Sequence, residues 1–84
     1  MKEIYIRKMS YEDARYKLER ELHDAFMEGE SLVEIVHGIG EGILKRMAEE
    51  FVAQSDFLRL SPRDPLFYNP GATRVDVLIP NKKM

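Results

Sequence analysis

Between two stretches of helical periodicity lies "SLVEIVH", residues 31–37, a nearly unbroken β-branched run with one charge, Glu34, at its centre. Such a run suits a strand covered on both faces or nearly so, as in the middle of a partly parallel sheet. The remaining segments have to be arranged around it. Upstream, "EIYIRK" alternates, with Ile4 and Ile6 on one side and Tyr5 and Arg7 on the other, which predicts a short strand. "SYED" follows as a helix start: Ser10 is set to accept from the amide of Asp13, a capping box with Asp in place of the usual Glu or Gln. Ala14, Leu18, Leu22, Ala25 and Phe26 then recur at three- and four-residue spacing as one apolar stripe. Lys17 with Glu21, and Arg20 with Asp24, stand four apart on other faces and can pair weakly. Gly29 is positioned to stop the helix in a left-handed turn.

Downstream of the run, Ile43, Leu44, Met47, Ala48, Phe51 and Val52 make a second helical stripe. "FLRL", residues 57–60, is a short strand candidate, and "SPRDPLFYNPGAT" is a loop by its prolines and its Pro-Gly turn. "TRVDVLI", residues 73–79, alternates as a last strand, and 80–84 is expected to be a frayed tail. The order is βαβαββ in one domain over 1–84. Right-handed crossovers put both helices on the same side of the sheet. The expected fold class is therefore α/β: a two-layer α/β sandwich with a four-stranded mixed sheet and two helices on one face. The other sheet face is left partly wet, with Tyr5, Arg7, Arg74, Asp76 and Leu78 spread over it.

Composition narrows the function classes. The absence of cysteine removes disulfides, thiolate zinc sites and cysteine nucleophiles. The apolar runs are too short for a membrane span, and the charged opening "MKEIYIRKM" lacks an apolar signal core. A cytoplasmic protein with no membrane partner is the expectation. A net charge of −2 argues against strong nonspecific nucleic-acid binding, so any such binding must rest on a local cluster of cations.

Chemistry concentrates in "HGIGEGIL". Gly38 and Gly40 would need a third glycine at 43 for a dinucleotide fingerprint, and no Lys-Ser or Lys-Thr follows to make a P-loop. What is left is a flexible turn opening a helix, where unpaired amides and the helix dipole favour an anion. Glu41 competes for those same amides, and a plain strand-to-helix corner is the simpler reading. His37 ends the strand at the carboxyl edge of the sheet, where ligands of open α/β sheets bind. Its titration range suits acid–base work or phosphate contact, and the simpler alternative is a histidine bonded to a nearby carbonyl. No spacing of His, Asp and Glu suits a metal site. Phe67 and Tyr68, near Arg63, suit either stacking on unpaired bases or covering the edge of the core.

"VEIVHGIGEGILKRMAEEF" resembles the second signature of the Smr (small MutS-related) domain family: a hydrophobic strand, His-Gly-x-Gly, a small residue, then an amphipathic helix. "YNPGATRVDVL" is similar to that family's closing turn and strand, and "IYIRKMSYEDARYKLERELHDAFMEG" to its opening strand and helix. The resemblance implies binding and nicking or cleavage of DNA or RNA. It carries one departure. The family's opening Leu-Asp-Leu-His-Gly reads "IYIRK" here, so Tyr5 stands for the Asp, Arg7 for the His and Lys8 for the Gly. A phenol is no general base at neutral pH, and an arginine is a permanent cation rather than a titrating group. The implied catalytic residue is then His37, and the implied phosphate-binding residues are Arg7, Lys8, Gly38, Gly40, Gly42, Lys45, Thr73 and Arg74. A divalent cation is the cofactor to consider if cleavage is retained. A noncatalytic module, pairing as a homodimer or with a larger protein through the half-exposed face bearing Tyr5 and Leu78, is the alternative.

Overall fold

The computed structural model describes residues 1–61 and 69–78. The apolar run becomes β2 (Leu32–Val36), and it sits inside the sheet. It lies parallel to β1 (Lys2–Tyr5) on one side and antiparallel to β4 (Ala72–Val77) on the other, with β3 (Leu58–Leu60) closing the far edge against β4. The sheet order is β1-β2-β4-β3. Helices α1 (Tyr11–Glu28) and α2 (Ile43–Ala53) form the crossovers and pack on each other and on the sheet. The two-layer mixed α/β architecture expected from the sequence is thus the observed one.

Strand parity builds the core. Ile4 of β1 pairs with Ile35, Val33 with Val75 and Leu58 with Val77, and all six side chains are buried under the helices. Ala14, Leu18, Leu22 and Ala25 of α1 and Met47, Ala48 and Val52 of α2 complete the cluster from above. Each fully buried Ile or Leu contributes about 1.5–3 kcal/mol, so this one layer holds the fold. α1 starts where the sequence predicts: the Asp13 amide donates to Ser10 Oγ at 3.2 Å, and Gly29 ends the helix at φ 80°.

Several boundaries and contacts differ from expectation. β1 closes at Tyr5 rather than at residue 8, because the chain turns there: the Met9 amide donates to the Ile6 carbonyl, and Lys8 takes a left-handed φ of 66°. Lys17 reaches that strand end and donates to the Tyr5 carbonyl at 2.8 Å, while Arg20 lies 3.7 Å from Glu21 and over the Tyr16 ring. Ile43, expected in the α2 stripe, is exposed. β4 opens at Ala72 rather than Thr73 and closes at Val77, short of the expected Ile79, with Leu78 already outside the strand. The loop residues Arg63, Phe67 and Tyr68, Ile79 and the tail 80–84 lie outside the described residues.

The helix-free face is polar and paired. Glu34 is only 7% exposed and stands across from Arg74 in the register, with its carboxylate 3.8 Å from Arg74 Nε. Asp76 accepts from Arg59 at 3.0 Å and from Ser61 at 3.1 Å, and the Tyr5 hydroxyl donates to Glu3 at 2.7 Å.

Candidate functional site

At the carboxyl ends of the two parallel strands β1 and β2, three segments distant in sequence meet. Ile6 continues the β1–β2 ladder by one more bond to the Val36 carbonyl, which carries Arg7 and Lys8 past the strand end and beside the turn that follows β2. The closing turn before β4 reaches the same place: the Gly71 carbonyl accepts both the His37 amide, at 3.0 Å, and the Gly38 amide, at 2.9 Å. Gly38 has a φ of 81°, and a Cβ there would stand 3.2 Å from Arg7 Cβ. The glycine is what lets Arg7 lie against the turn.

An open cleft of about 510 Å³ forms at this edge. Arg7, Lys8, His37, Gly38, Gly40, Gly42 and Lys45 are among the residues that line it. Seven of the nine expected site residues therefore converge. Three cations face it against one carboxylate, Glu41, which gives the cleft a positive balance on a chain that is negative as a whole. α2 begins at its border. Gly42 is the N-cap at φ 83°, makes no side-chain cap bond, and no acid follows in the first turn. The first amides of α2 thus have no partner within the helix and no carboxylate beside them in the first turn, a combination that favours an anion.

The remaining expected residues are placed differently. Thr73 and Arg74 do not line the cleft. Strand parity turns Arg74 to the helix-free face with Glu34, although its backbone lies only three residues beyond the Gly71 turn. The Thr73 hydroxyl is held by His37 Nε2 at 2.8 Å. The Gly38 amide is likewise committed, to the Gly71 carbonyl.

His37 is 4% exposed, and both ring nitrogens are engaged. Nδ1 lies 2.9 Å from the Gly38 carbonyl, which can only accept, so Nδ1 carries a proton. In the neutral ring, Nε2 is then the acceptor and takes the Thr73 O–H. The histidine ties the glycine turn to β4, a strut that serves the shape of the cleft whatever else it does. Among the described residues, no group of three or more His, Asp or Glu side chains is disposed to hold a metal ion. No helix among them is long and apolar enough to cross a membrane.

Tyr5, which stands where the resemblance leads one to expect an aspartate, does not line the cleft. Its hydroxyl bonds Glu3 on the helix-free face, and that hydrogen bond, followed by the charge of Glu3, burial and the charge of Glu34, raises its pKa above 10.0. Sequence reasoning overlooked the part of the cleft made by Tyr11, Ile39 and Ile43. Ile39 carried a usable signal, since a β-branched apolar residue between two turn glycines has no evident folding purpose.

Fold and site together define a small α/β domain that opens a cationic, glycine-lined cleft where two parallel strands end. The Smr domain model matches residues 4–77, and the chain belongs to that family. It is 40% identical over 52 residues to Endonuclease MutS2 of Geobacillus kaustophilus (strain HTA426), a stretch covering 62% of this chain and 7% of that protein. It is 39% identical over 51 residues to Endonuclease MutS2 of Shouchella clausii (strain KSM-K16), covering 61% of this chain and 6% of that one. The matched stretch is thus a small fraction of those relatives' length. The crystal structure of the Smr domain of Thermus thermophilus MutS2 superposes with a TM-score of 0.81 at 23% identity, covering 92% of this chain and 98% of the other. That likeness is one of fold.

Proposed function

We propose that this Smr domain binds nucleic acid by its phosphates in the cleft and does not cleave it. The observation that carries the reading is the convergence of Arg7, Lys8 and Lys45 on one cleft at the uncapped start of α2. Each cation that meets a phosphate releases condensed counterions, so a few well-placed ones suffice on an otherwise acidic chain. Catalysis would need a group free to move a proton at the scissile phosphate. Tyr5 and Arg7 supply none in the first motif, and the ring nitrogens of His37 are both occupied and shielded from solvent.

The competing reading, a DNA or RNA endonuclease, draws on the names of the relatives. A gel assay separates the two. Labelled single-stranded RNA, structured RNA, and duplex and branched DNA are incubated with the protein, with and without Mg²⁺ or Mn²⁺, alongside Arg7→Gln and His37→Ala. Shifted but uncut bands that Arg7→Gln weakens are the expected result. Cleavage that disappears in His37→Ala would overturn the noncatalytic reading and make the histidine the acid or base.

A further inference from the structure

The cleft has an apolar rim that phosphate binding does not explain. Tyr11, Ile39 and Ile43 line it and are 47%, 73% and 56% exposed. None of the three belongs to the buried hydrophobic core. Three of the nine large apolar side chains that the described residues leave in solvent are therefore gathered around the one cleft that Arg7, Lys8 and Lys45 also line. Tyr11 opens α1, Ile43 opens α2, and Ile39 sits between two glycines with φ of 81° and 77°.

Size points the same way. At about 510 Å³ the cleft falls within the range of roughly 300–1,000 Å³ typical of sites for whole small molecules, whereas a lone phosphate occupies far less. A duplex offers phosphates on its outside, but its base faces are stacked and closed to a side chain. An unpaired nucleotide offers a phosphate and an open base face together. Stacking of such a base on an aromatic ring is indifferent to sequence, because every base has a π-face.

Building on the phosphate-binding reading above, we propose that the cleft selects unpaired nucleotides: Arg7, Lys8 and Lys45 hold the backbone, the Tyr11 ring carries one base, and Ile39 and Ile43 flank it. The selectivity resides in Tyr11. The affinity resides in the cations.

The test is fluorescence anisotropy at one fixed salt concentration with an unstructured single-stranded DNA, the same sequence as RNA, and a blunt DNA duplex. Wild type is compared with Tyr11→Ala, Tyr11→Phe, Ile39→Ala and, as a control, Tyr16→Ala, an exposed tyrosine on the same helix that does not line the cleft. Circular dichroism checks each variant's fold. Wild type should bind at least one of the single strands more tightly than the duplex. Tyr11→Ala should lose about five- to 150-fold on that strand, the equivalent of one stacked base, and change duplex binding less than about twofold. Tyr11→Phe should keep the preference, Tyr16→Ala should leave it intact, and Ile39→Ala, which lies outside every helix and strand, should weaken it in the same direction as Tyr11→Ala. Equal binding of all three probes, or a Tyr11→Ala effect shared by strand and duplex, overturns the inference and leaves phosphate binding standing. Failure of wild type to bind any probe overturns both.

Discussion

Gly38 and Gly40 share a positive φ, yet only one of them is pressed by a neighbour. A Cβ at Gly38 meets Arg7 Cβ at 3.2 Å, while one at Gly40 meets nothing within 4 Å. Gly40→Ala should therefore cost only the backbone term of a left-handed alanine, about 1–2 kcal/mol. Gly38→Ala should cost more and should also displace Arg7, which equilibrium urea denaturation and a nucleic-acid titration of the two variants would read side by side. His37→Ala orphans the Gly38 carbonyl and the Thr73 hydroxyl and removes a buried ring, a loss of about 1–3 kcal/mol in the same denaturation experiment. Unchanged stability would refute the strut. Tyr5 gives a pH test. Its pKa is raised, so the stabilising bond to Glu3 is fully present below pH 10.0 and is lost as pH rises through the higher folded value. In a tyrosinate absorbance titration, Tyr5→Phe should remove the phenol that ionises above the ordinary range, and Glu3→Gln should return Tyr5 toward that range. At this scale the sequence drew most of the expected site residues toward one cleft but did not say whom they would touch. Strand alternation alone sets Arg74 in phase with Asp76 on the helix-free face, as expected; its place opposite Glu34 follows from the β2–β4 register, which alternation does not contain.

The two helices begin differently, although both open at the cleft, through Tyr11 and Ile43. α1 has a side-chain cap at Ser10 and two acids, Glu12 and Asp13, in its first turn. α2 has Gly42 as its cap, with neither a side-chain bond nor an acid. Ser10→Ala should lower stability by about 1 kcal/mol, measured as a reduced thermal or urea midpoint, and leave nucleic-acid affinity nearly unchanged. Comparable losses in both would mean that Ser10 itself is part of the binding surface rather than a support for Tyr11. The elements themselves were legible because their patterns are strong: a β-branched run for β2, two stripes of helical period, and a Ser and a Gly where α1 starts and stops. Their ends were less so. β1 stops at Tyr5 because the backbone turns left-handed at Lys8, which nothing in the alternation of "EIYIRK" foretells. Ile43 reads as a core residue by spacing but falls in the first turn of α2, which overhangs the cleft instead of the sheet.

As a whole, the molecule places its cations against its net charge. The sheet order β1-β2-β4-β3 brings the end of β1, the turn after β2 and the turn before β4 to one edge, so residues 7–8, 37–45 and 71 become neighbours. The order of elements foresees that the ends of β1 and β2 meet at that edge; the antiparallel β4 that brings residue 71 there is not contained in the order but in the resemblance to the family. Of the apolar rim only Ile39 left a mark in the sequence; the exposure of Tyr11 and Ile43 is a property of the assembled surface and not of residue spacing. The central claim is that Arg7, Lys8 and Lys45 bind phosphates, and the salt dependence of affinity tests it most directly. Dissociation constants for a duplex and for a single strand would be measured across a series of salt concentrations for wild type and for Arg7→Gln, Lys8→Gln and Lys45→Gln. The wild-type plot of log affinity against log salt should fall steeply, and each substitution should weaken binding and make the slope shallower by about 0.9 on duplex or about 0.7 on single strands, one phosphate contact apiece. A wild-type affinity indifferent to salt, or slopes that the three substitutions leave unchanged, would contradict the account.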